Sequence, residues 1–169
     1  MIPISSALSG GLYWSKIPHQ RGFQLNSNGD IVGSLRPTNF WATQLQAESS
    51  HGSWTFRRTG CLWTGTEIID ANSGASIAVF KANWSGGGTL AFSDGMTFRI
   101  SCKGFWRPVW TVEAENGQMA LRLHSRGKTV ELPEKGHFSE DKLSLLAIFV
   151  WHTMRRAEEE AASTSAVTG

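Results

Sequence analysis

Cysteine is scarce in this chain of 169 residues: Cys61 and Cys102 stand far apart, with no CxxC spacing. That argues against a zinc ribbon or a disulfide framework and makes free, buried thiols in a reducing compartment the expectation. Proline is sparse as well, with five residues, and a chain of this apolar content does not read as disordered. Lys and Arg never run beyond pairs, so the concentrated cationic stretch that nucleic-acid binding needs is missing. The start, Met1-Ile2-Pro3-Ile4-Ser5-Ser6, has neither the basic residues nor the long apolar run of a secretory signal. A cytoplasmic monomer with no resident cofactor is expected.

Familiar catalytic spacings are also absent. His19, His51, His124, His137 and His152 are isolated from one another and form no HExxH pair. No GxSxG elbow surrounds any serine. Gly86-Gly87-Gly88-Thr89 lacks the GxxxxGK[ST] spacing and leads into a strand pattern, so a tight β turn or bulge is expected there, not a phosphate loop. Asn83-Trp84-Ser85 matches a glycosylation triplet, but such triplets are common by chance and the chain is expected not to be secreted. The expectation is a protein that is not an enzyme.

What is present describes a globular domain with a sizeable core: 40% hydrophobic residues, 18 glycines and eight tryptophans. The length fits one domain. Residues 1–139 carry 13 Lys and Arg against 9 Asp and Glu, while residues 140–169 carry 3 against 5. A mildly basic body is therefore joined to an acidic end.

From about residue 22 to residue 133 the pattern alternates with period two, as half-buried strands do. In the run 96–103, Met96, Phe98, Ile100 and Cys102 share one face, and Thr97, Arg99, Ser101 and Lys103 share the other. The same reading turns Trp54, Phe56, Trp110, Val112, Ala114, Met119, Leu121 and Leu123 inward. Asn28-Gly29, Asn72-Ser73-Gly74, Asp94-Gly95, Asn116-Gly117 and Arg126-Gly127 supply turns between the runs, Asn116-Gly117 being the clearest hairpin signal. After Pro133 the pattern changes. Ser139 can cap a helix whose first turn carries Glu140 and Asp141, and Leu143 to Trp151 is apolar all round except Ser144.

Nine helical residues rise only about 13 Å, too short for a hydrocarbon core of about 30 Å, so the protein itself must surround them. A sheet with one apolar face and a helix with no polar face satisfy each other if the sheet closes around the helix. The predicted fold is mainly β, a closed antiparallel barrel around one central hydrophobic C-terminal helix. The expected boundaries are a lead-in over residues 1–21, the barrel domain over 22–157 with its helix at about 139–157, and a mobile tail over 158–169.

Three stretches carry a family likeness: Asp30 to Leu35, Gly52 to Gly60, and Ile68 to Phe80. It continues through Gly86 to Phe92, Asp94 to Phe98, Trp110 to Gly117 and the apolar segment Leu143 to Arg156. Over roughly residues 22–156 the chain resembles the bacterial branch of the tubby C-terminal-like superfamily, which includes the LURP-one-related proteins and the phospholipid scramblases. The resemblance implies a twelve-stranded barrel around a central helix. It also brings expectations of phosphoinositide binding through basic surface residues, from tubby proteins, and of calcium binding beside the terminal helix, from scramblases. The segment Glu131 to Asp141 lacks the alternating oxygen ligands of a calcium loop, and the tubby basic residues have no position-by-position counterpart.

Arg99 and Lys103 on one outer strand face, Arg107 just beyond Gly104-Phe105-Trp106, and Arg122 on a later strand form the candidate ligand-binding patch. Cations beside Trp106 suit an anionic lipid surface, with the ring at the interface. The alternatives are a structural or protein-interaction domain with no small ligand, tethered by its acidic end, and, after it, a cryptic hydrolase or transferase whose residues come together only in the fold.

Overall fold

Residues of one parity along each alternating run meet in a common interior, and the runs become strands of one closed sheet. The computed structural model describes residues 1–7, 10–60, 64–133 and 137–168. The strands are β1 (Leu12–Lys16), β2 (Phe23–Ser27), β3 (Asp30–Pro37), β4 (Gln44–Ser49), β5 (Gly52–Thr59) and β6 (Gly65–Asp70). They continue with β7 (Ser76–Ala82), β8 (Gly88–Phe92), β9 (Thr97–Lys103), β10 (Val109–Ala114), β11 (Met119–His124) and β12 (Thr129–Glu131). Each pairs antiparallel with its sequence neighbours, and β12 returns to β1, so the barrel has twelve strands and no open edge.

Turn chemistry sets the registers. Asn28 and Gly29 both adopt positive φ, 50° and 90°, between β2 and β3, the pair of left-handed residues that a two-residue hairpin of type I′ requires. Asn116-Gly117 joins β10 to β11, with the Gly117 N–H donating to the Ala114 carbonyl at 2.9 Å. The triple glycine 86–88 is a close-packing device: a Cβ at Gly87 would collide with the Ile100 carbonyl and one at Gly88 with the Lys81 carbonyl.

The helix α1 (Glu140–Thr168) fills the barrel. Ser139 stands at its N-cap, where its carbonyl accepts from the Leu143 N–H at 2.9 Å. Every residue from Leu143 to Met154 is buried, as a helix without a polar face demands. Rings from separate parts of the wall meet it: Trp14 of β1 stacks on Trp151 at 4.9 Å, and Phe56 of β5 and Phe80 of β7 meet Phe149 edge-on at 5.2 and 5.1 Å. At β3 the wall passes close, and a Cβ on Gly33 would lie 3.2 Å from Ile148 Cδ1. A barrel's diameter grows with strand number, and eight strands are already filled by their own side chains. Twelve leave room for a helix about 10 Å across.

The expected boundaries need correcting at both ends. The lead-in over residues 1–21 is not outside the barrel, because β1 pairs with both β12 and β2 and closes it. Leu12 and Trp14 face inward and are buried, and Ile4 and Ala7 are buried ahead of them. Residues 158–168 are not a mobile tail either, since α1 continues through Thr168. Arg155 pairs with Glu158 and Glu159, and Arg156 with Glu160, at helical spacing. The hydroxyls of Ser163, Thr164 and Ser165 donate back to carbonyls four residues earlier. Met96, expected inward, is exposed in the β8–β9 turn because the strand begins at Thr97. Cys102 is a half-buried free thiol whose pKa burial raises, and Cys61 lies outside the described residues.

Removing the ring at the centre of this packing should be costly. Phe149→Ala is expected to lower the unfolding free energy by about 3 to 5 kcal/mol, measured by denaturant titration against the parent chain. A loss below about 1 kcal/mol would contradict the enclosed helix.

Candidate functional site

Strand parity divides the connections between the two ends of the barrel. One end carries the loops that follow β1, β3, β7, β9 and β11, and no Asp or Glu occurs in any of these five segments. The same loops contain Arg21, Arg107, Arg126 and Lys128. The opposite end has Asp94 and Glu115 in its turns and Glu140 and Asp141 where α1 begins. The barrel is polarised along its axis.

Exposed aromatic side chains gather at the end whose loops carry no acid. Phe40 and Trp41 lie between β3 and β4, Trp84 between β7 and β8, and Phe105 and Trp106 between β9 and β10, each at least 77% exposed. Phe105 and Trp106 meet edge-on at 5.2 Å. Trp84 tops a turn in which Asn83 Oδ1 accepts from the Ser85 N–H and hydroxyl at 3.1 and 2.7 Å. These are rings held in water by short, internally bonded loops, in a fold that buries most of its other large rings.

The five residues of the predicted patch separate into two groups. Lys103, at the end of β9, lies with Trp106 and Arg107 at this rim, and all three are exposed. Arg99 and Arg122 lie lower on the outer wall. Arg99 is tied to Glu113 across the β9–β10 ladder at 3.1 Å. Arg122 faces Glu131 at 3.8 Å, and Glu131 also meets His124 at 3.1 Å. Both are largely answered by neighbouring carboxylates. Not singled out from the sequence were Trp84, Arg126 and Lys128, which flank Trp106 in adjacent loops, and Phe40 and Trp41 on the far side. Their signal was present: each aromatic sits among turn-forming residues, Asn39 and Thr38 or Asn83 and Ser85.

The helix leaves the barrel through the centre of this rim. A Cβ on Gly86, in the β7–β8 loop, would lie 3.3 Å from Ala157 Cβ. Beyond that point residues 158–168 are exposed and extend the helix by about 17 Å at 1.5 Å per residue. Just inside the exit, His152 is 6% exposed and touches the rings of Phe56 and Phe149, with centroids 5.7 and 5.8 Å away. Its Nε2 has no hydrogen-bond partner among the described residues. Burial, reinforced by the positive charges of Arg156 and Arg58, holds the imidazole down at about 3.

Among the described residues no group of three or more His, Cys, Asp or Glu could hold a metal ion; Glu134, which the calcium expectation would include, lies outside them. No helix among the described residues is long and apolar enough to cross a membrane. No family model, curated protein or solved structure matches the chain.

The neutral His152 makes stability depend on pH in a defined direction. Its pKa of about 3 in the fold lies below the unfolded value of about 6.5, so the unfolded chain binds the extra proton. The contribution is complete above about 6.5 and disappears as pH falls toward 3. Between pH 6.5 and 5 the parent should lose about 2 kcal/mol through this group, opposed or aided by Arg58, Arg156, Glu159 and Glu160 around it. A His152→Leu chain should show a flatter profile in denaturant titrations over that range. An identical slope in both proteins would show that His152 protonates freely when folded.

Proposed function

We propose that the protein is a non-catalytic module that docks peripherally on an anionic membrane surface. The observation that carries this reading is the coincidence of Trp84, Phe105, Trp106, Arg107, Arg126 and Lys128 on three adjacent loops that contain no acid, with Lys103 beside them at the end of β9. Aromatic rings of this kind partition to the headgroup boundary. Each cation near an anionic leaflet adds about 1 kcal/mol. Because α1 projects from the middle of the rim, the rim cannot lie flat on a plane; one arc of it makes contact and the barrel axis tilts away. The acidic far end then faces solvent, which suits the repulsion between carboxylates and an anionic surface.

We further propose kinship with the tubby and scramblase group, supported by the closed twelve-stranded barrel and its enclosed C-terminal helix. A cytoplasmic setting fits the same reading, since that leaflet carries the anionic lipids. A protein-interaction role is the second reading, favoured by the exposed helical turns over residues 158–168.

Flotation with phosphatidylserine-containing vesicles and with pure phosphatidylcholine, at low and high salt, separates the two. Binding is expected to need the anionic lipid and to weaken with salt. Lys103→Glu combined with Arg107→Glu should reduce it about tenfold or more, and Trp106→Ala should reduce it at both salt concentrations. Binding unaffected by the charge reversal, or no binding at all, would reject the membrane reading and leave the projecting helix as the contact.

A further inference from the structure

Across the barrel from the arc of Trp106, the wall parts from the helix. A cleft of about 180 Å³ opens between α1 and strands β2 to β5. Phe23, Leu35 and Leu45 form an apolar side, and Arg58, His152 and Arg21 stand at the other. The position of Arg58 is the unusual feature. On β5 it shares parity with the buried Trp54 and Phe56, so it faces the barrel interior while Arg57 faces out and pairs with Glu67.

An inward guanidinium needs an answering charge, because a buried cation without one is costly. Along the helix, Glu158, Glu159 and Glu160 answer Arg155 and Arg156, and Glu159 itself lines the cleft. Arg58 has no ion pair within 4 Å among the described residues, and its Nε, like His152 Nε2, is buried without a hydrogen-bond partner. Burial and the nearby Arg156 press the Arg58 guanidinium below its ordinary pKa, with Glu159 and Glu160 opposing, yet an arginine remains a cation throughout. Arg21 closes the mouth, donating to the Phe40 carbonyl at 3.0 Å with its guanidinium 5.8 Å above the Phe40 ring.

We infer that this cleft is a binding site for a small anion carried on a short aliphatic chain, with Arg58 and Arg21 meeting the charged head and Phe23, Leu35 and Leu45 meeting the chain. A void of about 150 Å³ already accepts benzene, so a volume of about 180 Å³ suits a chain of six to eight carbons. The head is a carboxylate or a phosphate, which share the planar donor fork of arginine as partner. The site is separate from the membrane-facing arc and does not depend on it.

Titration calorimetry of the full chain with octanoate, octyl phosphate, octanol and inorganic phosphate tests the assignment. One of the two octyl anions is expected to bind one to one, more tightly than about 1 mM, and to perturb the His152 imidazole resonances. Octanol and inorganic phosphate should each bind at least about tenfold more weakly. Arg58→Gln should weaken the octyl anion about tenfold or more, with Arg58→Lys intermediate. Arg21→Gln, on an exposed loop, provides a second loss that does not challenge folding. Lys103→Glu with Arg107→Glu should leave this binding unchanged while removing vesicle binding. No saturable binding of either octyl anion, equal binding of inorganic phosphate, or binding insensitive to Arg58 and Arg21 would overturn the proposal. Sensitivity to the Lys103 and Arg107 pair instead would place the ligand at the rim and overturn it equally.

Discussion

Every feature of this molecule follows from one requirement: a helix with twelve consecutive buried residues, Leu143 to Met154, must be enclosed by something that is not water. The protein supplies the enclosure itself. A sheet of twelve strands is wide enough to surround a helix, and closing it leaves no edge to pair with another chain. Trp151, Phe149 and Ile148 then act as the template against which Trp14, Phe56, Phe80 and Gly33 are fitted. The wall and the helix depend on each other, since neither has a stable apolar face alone.

Enclosure has consequences for where chemistry can occur. The interior is occupied, so the room left for a ligand inside the wall lies at the gap where the wall leaves the helix. Strict antiparallel order sends alternate loops to opposite ends. In this chain that alternation sorts the loops as well: aromatic rings and cations collect in those around the exit of the helix, where Glu158 to Glu160 of α1 emerge paired with Arg155 and Arg156, and the carboxylates of the turns collect at its entry. The arrangement also sets the helix dipole with its positive end among Glu140 and Asp141, which complement it.

Two polar side chains sit uneasily in this scheme. His152 lies inside the apolar shell as a neutral ring, and Arg58 takes an inward strand position at the mouth. The buried imidazole carries a desolvation cost that a purely structural core would avoid, and the inward guanidinium carries part of one at its buried Nε. Their nearness to an apolar cleft makes the region between α1 and β2 to β5 chemically distinct from the rest of the barrel, whose outer charges pair across the ladder as Arg57 does with Glu67 and Arg99 with Glu113.

Local chemistry was legible in the residues themselves. Asn28-Gly29 and Asn116-Gly117 announced hairpins because few other residues accept positive φ. The apolar run from Leu143 to Trp151, interrupted only at Ser144, required burial, and with the alternating strands it was enough to derive a closed barrel around a helix. The closing strand Leu12–Lys16 was not legible, because five residues between glycines and a proline carry too little periodicity, and their partner is Thr129–Glu131 at the far end of the chain. The helical continuation to Thr168 begins with Arg155 and Arg156 pairing with the following glutamates, a stretch that composition alone reads as a charged tail. The inward turn of Arg58, the cancellation of Arg99 and Arg122 by Glu113 and Glu131, and the gathering of Phe40, Trp84 and Trp106 at one end were decided by tertiary structure. Period and turn type are properties of neighbours in sequence, whereas parity around a closed barrel brings together residues that no local pattern relates.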